Sequence, residues 1–154
     1  MRLARAIQIN ESEPGSVELS WTPEFTTQRV DVFAGTDPTQ IDMTTPLARA
    51  VSRSATITGL PPLRRHYFCL RPEGEVGVIA AQRNVPLEGC VNFRDLGGYA
   101  TVNHTHVKWG KLYRSGHLSE LSSSGRDYFA GLRIHAVCDF RQTEERSSEA
   151  MGLP

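Results

Sequence analysis

Three arginines carry the clearest chemical suggestion in this sequence. Arg94, Arg114 and Arg141 each fall where a strand or turn is expected to end, beside Asp95, Ser115 and Gln142. A guanidinium presents a planar fork of donors that suits bidentate recognition of a phosphate. In open α/β sheets ligands sit outside the carboxyl ends of the strands, which is the place expected for Arg141. A plainer role is also open, in which each arginine pairs with a carboxylate such as Asp95 or Asp139 and only fixes a loop.

The other reactive side chains are dispersed. His104 and His106 have no further ligand nearby, so a hairpin tip is the expectation, not a metal centre. His117, beside Arg114 and Ser115, reads as a loop hydrogen-bonding residue, with proton donation as the alternative. Gly97-Gly98 points to special backbone geometry, because no GxGxxG or GxxxxGK pattern follows it. Trp109 and Tyr113 are expected to pack. Cys69, Cys90 and Cys138 are an odd set without a CxxC, which argues for reduced thiols and against a disulfide scaffold or zinc site. Cys138, inside an apolar run, is expected to be a small buried residue. No cofactor and no metal is expected.

Composition narrows the classes. Lys plus Arg equals Asp plus Glu at 17 each, so the formal net charge is zero and gives no bulk attraction to nucleic acid or anionic membrane. Any anion site must be a local cluster of cations. No apolar run approaches the roughly 18 residues of a membrane helix, and the first residues lack the unbroken apolar stretch of a secretory signal. A cytoplasmic protein is the expectation.

The elements that must position these residues change character along the chain. Residues 1–86 read as short strands between turn residues: Arg5 to Ile9, Val17 to Trp21 with period-two alternation, Val30 to Ala34, Ala50 to Leu60, Tyr67 to Leu70 and Val76 to Ala81. Such spacing predicts an all-β sandwich or barrel. Residues 87–154 read differently. Ala100–Val102 and His106–Tyr113 predict strands joined through Asn103-His104, and Ser122 predicts the cap of a helix running to about Leu132. Ile134 to Phe140 reads as a parallel strand buried on both faces, and Thr143-Glu144-Glu145 as the capped start of another helix. That order is the grammar of an α/β domain. The chain stops before such a sheet would be complete, so a truncated domain is expected.

Two resemblances sharpen the reading. SVELSWTP at 16–23 and TITGLPPLRRHYFCLRP at 56–72 resemble strands of fibronectin type III domains. The likeness implies Trp21 between two sheets and the Tyr67 hydroxyl bonded to the corner backbone. Further on, NFRDLGGY at 92–99, VKWGKLYRSGHLSEL at 107–121 and AVCDFRQTEER at 136–146 together resemble the first part of a bacterial tyrosine-phosphatase-like family. Its members act on phosphotyrosine and sometimes on phosphoserine or phosphoinositides.

The family likeness implies a phosphomonoester hydrolase working through a cysteinyl-phosphate intermediate, on a loop of the form His-Cys-x-x-Gly-Lys-x-Arg. That loop is not in this sequence. Cys69, Cys90 and Cys138 are followed six positions on by Glu75, Leu96 and Glu144, where the loop needs an arginine. No catalytic residue is therefore assigned, and this segment alone is expected to be inactive. The likeness also implies that Asn92, Arg94 and Asp95 border the active-site loop. With Arg114, Ser115 and Arg141 they form the expected phosphate pocket. The implied partner is a phosphorylated protein or a small phosphomonoester or phosphoinositide, with the sandwich free to hold a protein. A non-catalytic adaptor with a phosphatase remnant is the competing expectation, and a sulfur transferase is a third. Gly125 and Arg133 depart from the family pattern, and they predict weaker helix boundaries only.

Overall fold

The computed structural model describes residues 7–22, 29–61, 64–103 and 105–148. The expected turn residue His104, the start of the first strand at Arg5 and Ala6, and part of the Pro61-Pro62 stop lie outside them. Seven strands form two antiparallel sheets. These are β1 (Ile7–Glu13), β2 (Ser16–Trp21), β3 (Val30–Gly35), β4 (Ala48–Ala50), β5 (Ser54–Ile57), β6 (Tyr67–Pro72) and β7 (Val78–Ala80). One sheet runs β1-β2-β5 and the other β4-β3-β6-β7.

Alternation decides what faces inward. In β2, Val17, Leu19 and Trp21 are buried while Glu18 is exposed, as a strand with one face on a core requires. Ala55 and Ile57 of β5, Val30 and Val32 of β3, and Phe68 and Leu70 of β6 close the same core, with Trp21 in it as expected. The stretch from Ala50 to Leu60 is not one strand. β4 pairs with β3 and β5 pairs with β2, so the chain crosses between sheets there, and Val51 at the crossing is exposed. Gly15, at φ 78°, makes the β1–β2 turn, and a side chain there would meet the Leu60 carbonyl oxygen.

β6 is buried on both faces. Its outward-facing Tyr67 packs in a separate cluster with Ala81 and Trp109, so the far face of this sheet is covered by the C-terminal half of the chain. The Trp109 indole N–H donates to the Ile79 carbonyl at 3.0 Å across that contact. The Tyr67 hydroxyl receives the Arg65 Nε–H at 3.3 Å, while residues 62 and 63 of the corner whose backbone it was expected to bond lie outside the described residues.

Beyond β7 the ladders shrink. β8 (Arg94–Asp95) pairs with β9 (Tyr113–Arg114), and backbone bonds from Val85 to Phe93 and from Asp95 to Arg83 lay the 83–85 stretch along the other side of β8. The expected hairpin at 100–113 survives only as a bridge between Ala100 and His106 and a few bonds around it. A second cluster, Val85, Leu87, Phe93, Leu118, Leu121 and Phe129, lies beneath, with Phe93 stacked on Tyr113 at 5.2 Å between ring centres. Helix α1 (Ser123–Gly131) closes it, presenting buried Phe129 and half-buried Tyr128. Ser122 caps it as expected, its hydroxyl accepting the Gly125 N–H at 3.0 Å.

Gly125 and Arg133 gain a physical account. A β-carbon on Gly125 would lie 2.2 Å from the Glu88 carbonyl oxygen, so the glycine lets the helix touch that loop. It does more than weaken the helix. Arg133 takes φ 53°, the left-handed region in which glycine is the usual choice after a helix.

The run from Ile134 to Phe140 corrects the expectation most. It is not a strand, Phe140 is 95% exposed, and Cys138 is exposed instead of buried. A parallel strand needs backbone partners at its sides and cover on both faces. Among the described residues neither is supplied, and every pairing is antiparallel. Helix α2 (Thr143–Ser148) follows with Thr143 inside it, and the Glu145 carboxylate accepts the Gln142 N–H at 2.9 Å.

Candidate anion site

The two residues of β8 point opposite ways. Asp95 is wholly buried, while Arg94 is exposed. Their neighbours explain the split. The Asp95 carboxylate accepts the Gly97 N–H at 2.8 Å on Oδ1, and the Gly110 N–H at 2.9 Å and an Arg65 Nη2–H at 3.1 Å on Oδ2. Such a carboxylate is fully engaged in holding the 95–97 turn and the Gly110 turn together. The structure therefore gives Asp95 a buried anchoring position and not a wall of a pocket.

The turn that follows is braced by Arg83 and Trp109. The Arg83 guanidinium donates to the Gly97 carbonyl at 2.8 Å and lies over the Tyr99 ring at 3.8 Å. Side chains on Gly97 or Gly98 would collide with Trp109, and Gly98 also needs φ 71°. These glycines let backbone pass under an indole, in line with the geometric reading of the pair.

On the outer face, Arg94 stands directly opposite Arg114 in the β8–β9 register. Facing residues of an antiparallel pair have β-carbons about 4.5–5.5 Å apart, and like charges placed so destabilise the sheet. Both arginines are exposed, and among the described residues neither has a carboxylate in ion-pair range. Among the described residues the Arg94 guanidinium donates to the Asn92 side-chain oxygen, at 3.3 Å. Asn92 holds φ 57°, a left-handed position that asparagine tolerates better than most residues. Asn84 bridges to the other side of Arg94 and is exposed as well. The result is a short polar row of Asn84, Arg94 and Arg114, with Asn92 at its edge and exposed Ser115 next in the chain.

Arg141 is placed differently. Its guanidinium grips Asp139 with Nε at 3.1 Å from Oδ1 and Nη2 at 2.9 Å from Oδ2. That fork holds the Asp139 carboxyl below its usual range. It is the loop-fixing role left open for each arginine above. The His117 Nδ1 lies 2.7 Å from the Ser119 hydroxyl, the loop hydrogen bond expected of it.

The thiols are poorly set for nucleophilic work. Burial pushes both the Cys69 and the Cys90 thiol up, away from thiolate at neutral pH. Among the described residues no group of three or more His, Cys, Asp or Glu side chains is gathered to hold a metal ion. A cleft of about 510 Å³ adjoins the row, lined among others by Arg64, His66, Asn84, Cys90, Asn92 and Tyr128, while Arg94 and Arg114 lie outside its lining. No helix among the described residues is long and apolar enough to cross a membrane.

What sequence reading missed is Arg65. Its side chain is 7% exposed and its partner Asp95 fully buried, thirty residues away. One signal was available: Arg65 sits two residues before Tyr67 on a strand whose outward face proves to be covered.

Comparison with known proteins places this half of the chain. Residues 85–154 match the model of a tyrosine phosphatase family, so the segment carrying the arginine row is tyrosine-phosphatase-like. A Cupriavidus necator protein named "Putative tyrosine-protein phosphatase" is 32% identical over 71 residues, covering 46% of this chain. The aligned part spans only 26% of that relative's length.

Proposed function

We propose that this chain is the opening part of a phosphomonoester hydrolase, and that Arg94 and Arg114 contribute to holding the phosphate of its substrate. One observation carries the reading: two unneutralised guanidiniums kept side by side on the exposed face of a two-residue ladder. Such a pair repels itself and gains most from a dianion with three oxygens to share. Asn92, Asn84 and Ser115 add neutral donors around it. The tyrosine-phosphatase-like character of 85–154 supports the same chemistry.

In this reading the nucleophile is a cysteine on a loop outside these residues. Its thiolate attacks phosphorus, the leaving oxygen takes a proton, and water then hydrolyses the cysteinyl phosphate. Residues 1–86 form a fibronectin type III-like accessory unit and residues 87–154 the first part of the catalytic unit. Phosphorylated proteins, small phosphomonoesters and phosphoinositides are all substrates of fitting charge.

The test is turnover of para-nitrophenyl phosphate by the longer gene product, with mass spectrometry of the protein quenched during turnover. Phosphate on a cysteine that has an arginine six positions on supports the reading. Phosphate binding without turnover would leave the adaptor role instead. The 154-residue chain alone is expected to give a rate near the uncatalysed one.

A further inference from the structure

We infer that Arg65, on the approach to β6 of the two-sheet region, is a positioning residue for the arginine row and acts through Asp95. The inference rests on the anion reading above and adds to it a dependence on the first half of the chain. Arg65 shares the lining of the cleft with Asn84 and Asn92, and its hydrogen bonds among the described residues go to Tyr67, Gln82 and Asp95, not to Arg94 or Arg114. Its Nη2 donates to the Gln82 carbonyl at 2.6 Å and to Asp95 Oδ2 at 3.1 Å, while its Nε–H reaches the Tyr67 hydroxyl. The guanidinium also lies over the Tyr67 ring, 5.2 Å from its centre. Three contacts besides Asp95 therefore fix this cation: the Gln82 carbonyl, the Tyr67 hydroxyl and the Tyr67 ring.

Asp95 is the residue next to Arg94 on β8 and shares its backbone pairing with Tyr113, next to Arg114. Tyr113 is itself tied in from below, stacked on Phe93, and burial together with the Tyr67 hydroxyl pushes its phenol far up. The inner face of the β8–β9 ladder thus rests on Arg65 and Tyr67, both from the two-sheet region. The outer face of the same four residues carries Arg94 and Arg114. A buried carboxylate that loses its cation must move towards water or take up a proton. Either change shifts a ladder only two residues long, and the separation of the two exposed guanidiniums shifts with it.

The comparison to make is of the 154-residue chain with its Arg65→Met and Arg65→Lys variants, with Arg94→Ala as the direct control. Two quantities are read by NMR at a temperature where circular dichroism shows all of them folded. One is hydrogen exchange of the Gly97 and Gly110 amides, which donate to Asp95. The other is affinity for inorganic phosphate, followed at the arginine Nε–H resonances. Arg65→Met should speed exchange at both glycines and weaken phosphate binding about tenfold, the scale of one charge-assisted bond. Arg65→Lys, which keeps the charge, should recover most of both. Unchanged phosphate affinity in Arg65→Met, with Arg94→Ala abolishing binding, would overturn the positioning role and leave the anion site standing. A parent chain that binds no phosphate would overturn both. If Arg65→Met does not fold, the double variant Arg65→Met/Asp95→Asn removes the stranded charge. Weakened phosphate binding there supports the role, and parental affinity there refutes it.

Discussion

In the two-sheet region Leu19, Val32 and Leu70 are fully buried, each between strands whose neighbours bury theirs. From Val85 onward the buried residues come mainly from loops and one short helix, and the longest ladder is two residues. The first region is held by repeated cross-strand packing, which spreads the loss of any one contact over many others. The second leans on single devices: Asp95 under its turn, Gly125 against the Glu88 carbonyl, Trp109 over two glycines. It also leans on the first region itself, through Arg65, Tyr67 and the Ile79 carbonyl. The lesson is that the arginine row sits on the less self-sufficient half, on a surface whose underside belongs to the other.

Three substitutions sharpen this contrast. Phe68→Ala, in the core between the sheets, should cost about 3–5 kcal/mol in a chemical denaturation curve, as large-to-small changes in packed cores do. A loss below 1 kcal/mol would mean that the sheets do not share a packed core. Gly125→Ala should have the opposite sign to helix propensity. Propensity alone favours alanine by about 1 kcal/mol, but a methyl 2.2 Å from a backbone oxygen must displace helix or loop. Net destabilisation of about 1–3 kcal/mol is expected, and a raised melting temperature would show that α1 does not rest on Glu88. Phe140→Ser should change stability by no more than about 0.5 kcal/mol, because the ring is almost fully exposed. A large loss would show that Ile134 to Phe140 is packed after all.

These cases also mark what the sequence could reveal. Period-two alternation in Val17 to Trp21 foretold β2 because both its neighbours are in the chain, and Ser122 foretold α1 because a cap is local. Ile134 to Phe140 has equally strong apolar content and failed as a prediction, since a buried strand is defined by partners that its own residues do not encode. At the site, Arg94 and Arg114 could be nominated from residue type and expected turns. That they face each other and that Asp95 faces inward depend on register and long-range pairing, whereas the Arg141–Asp139 pair spans two residues and was among the pairings the sequence left open. Arg65 was invisible for the same reason: its partner lies thirty residues on.

The most direct test of the central claim is a titration of the 154-residue chain with inorganic phosphate, followed at every resolved arginine Nε–H. The account predicts that Arg94 and Arg114 move together along one saturating curve, that Arg94→Ala removes the response at Arg114, and that raising the salt weakens the curve without abolishing it. Small, unsaturating shifts of similar size at all exposed arginines, or a saturating response centred elsewhere while Arg94 and Arg114 stay still, would contradict it.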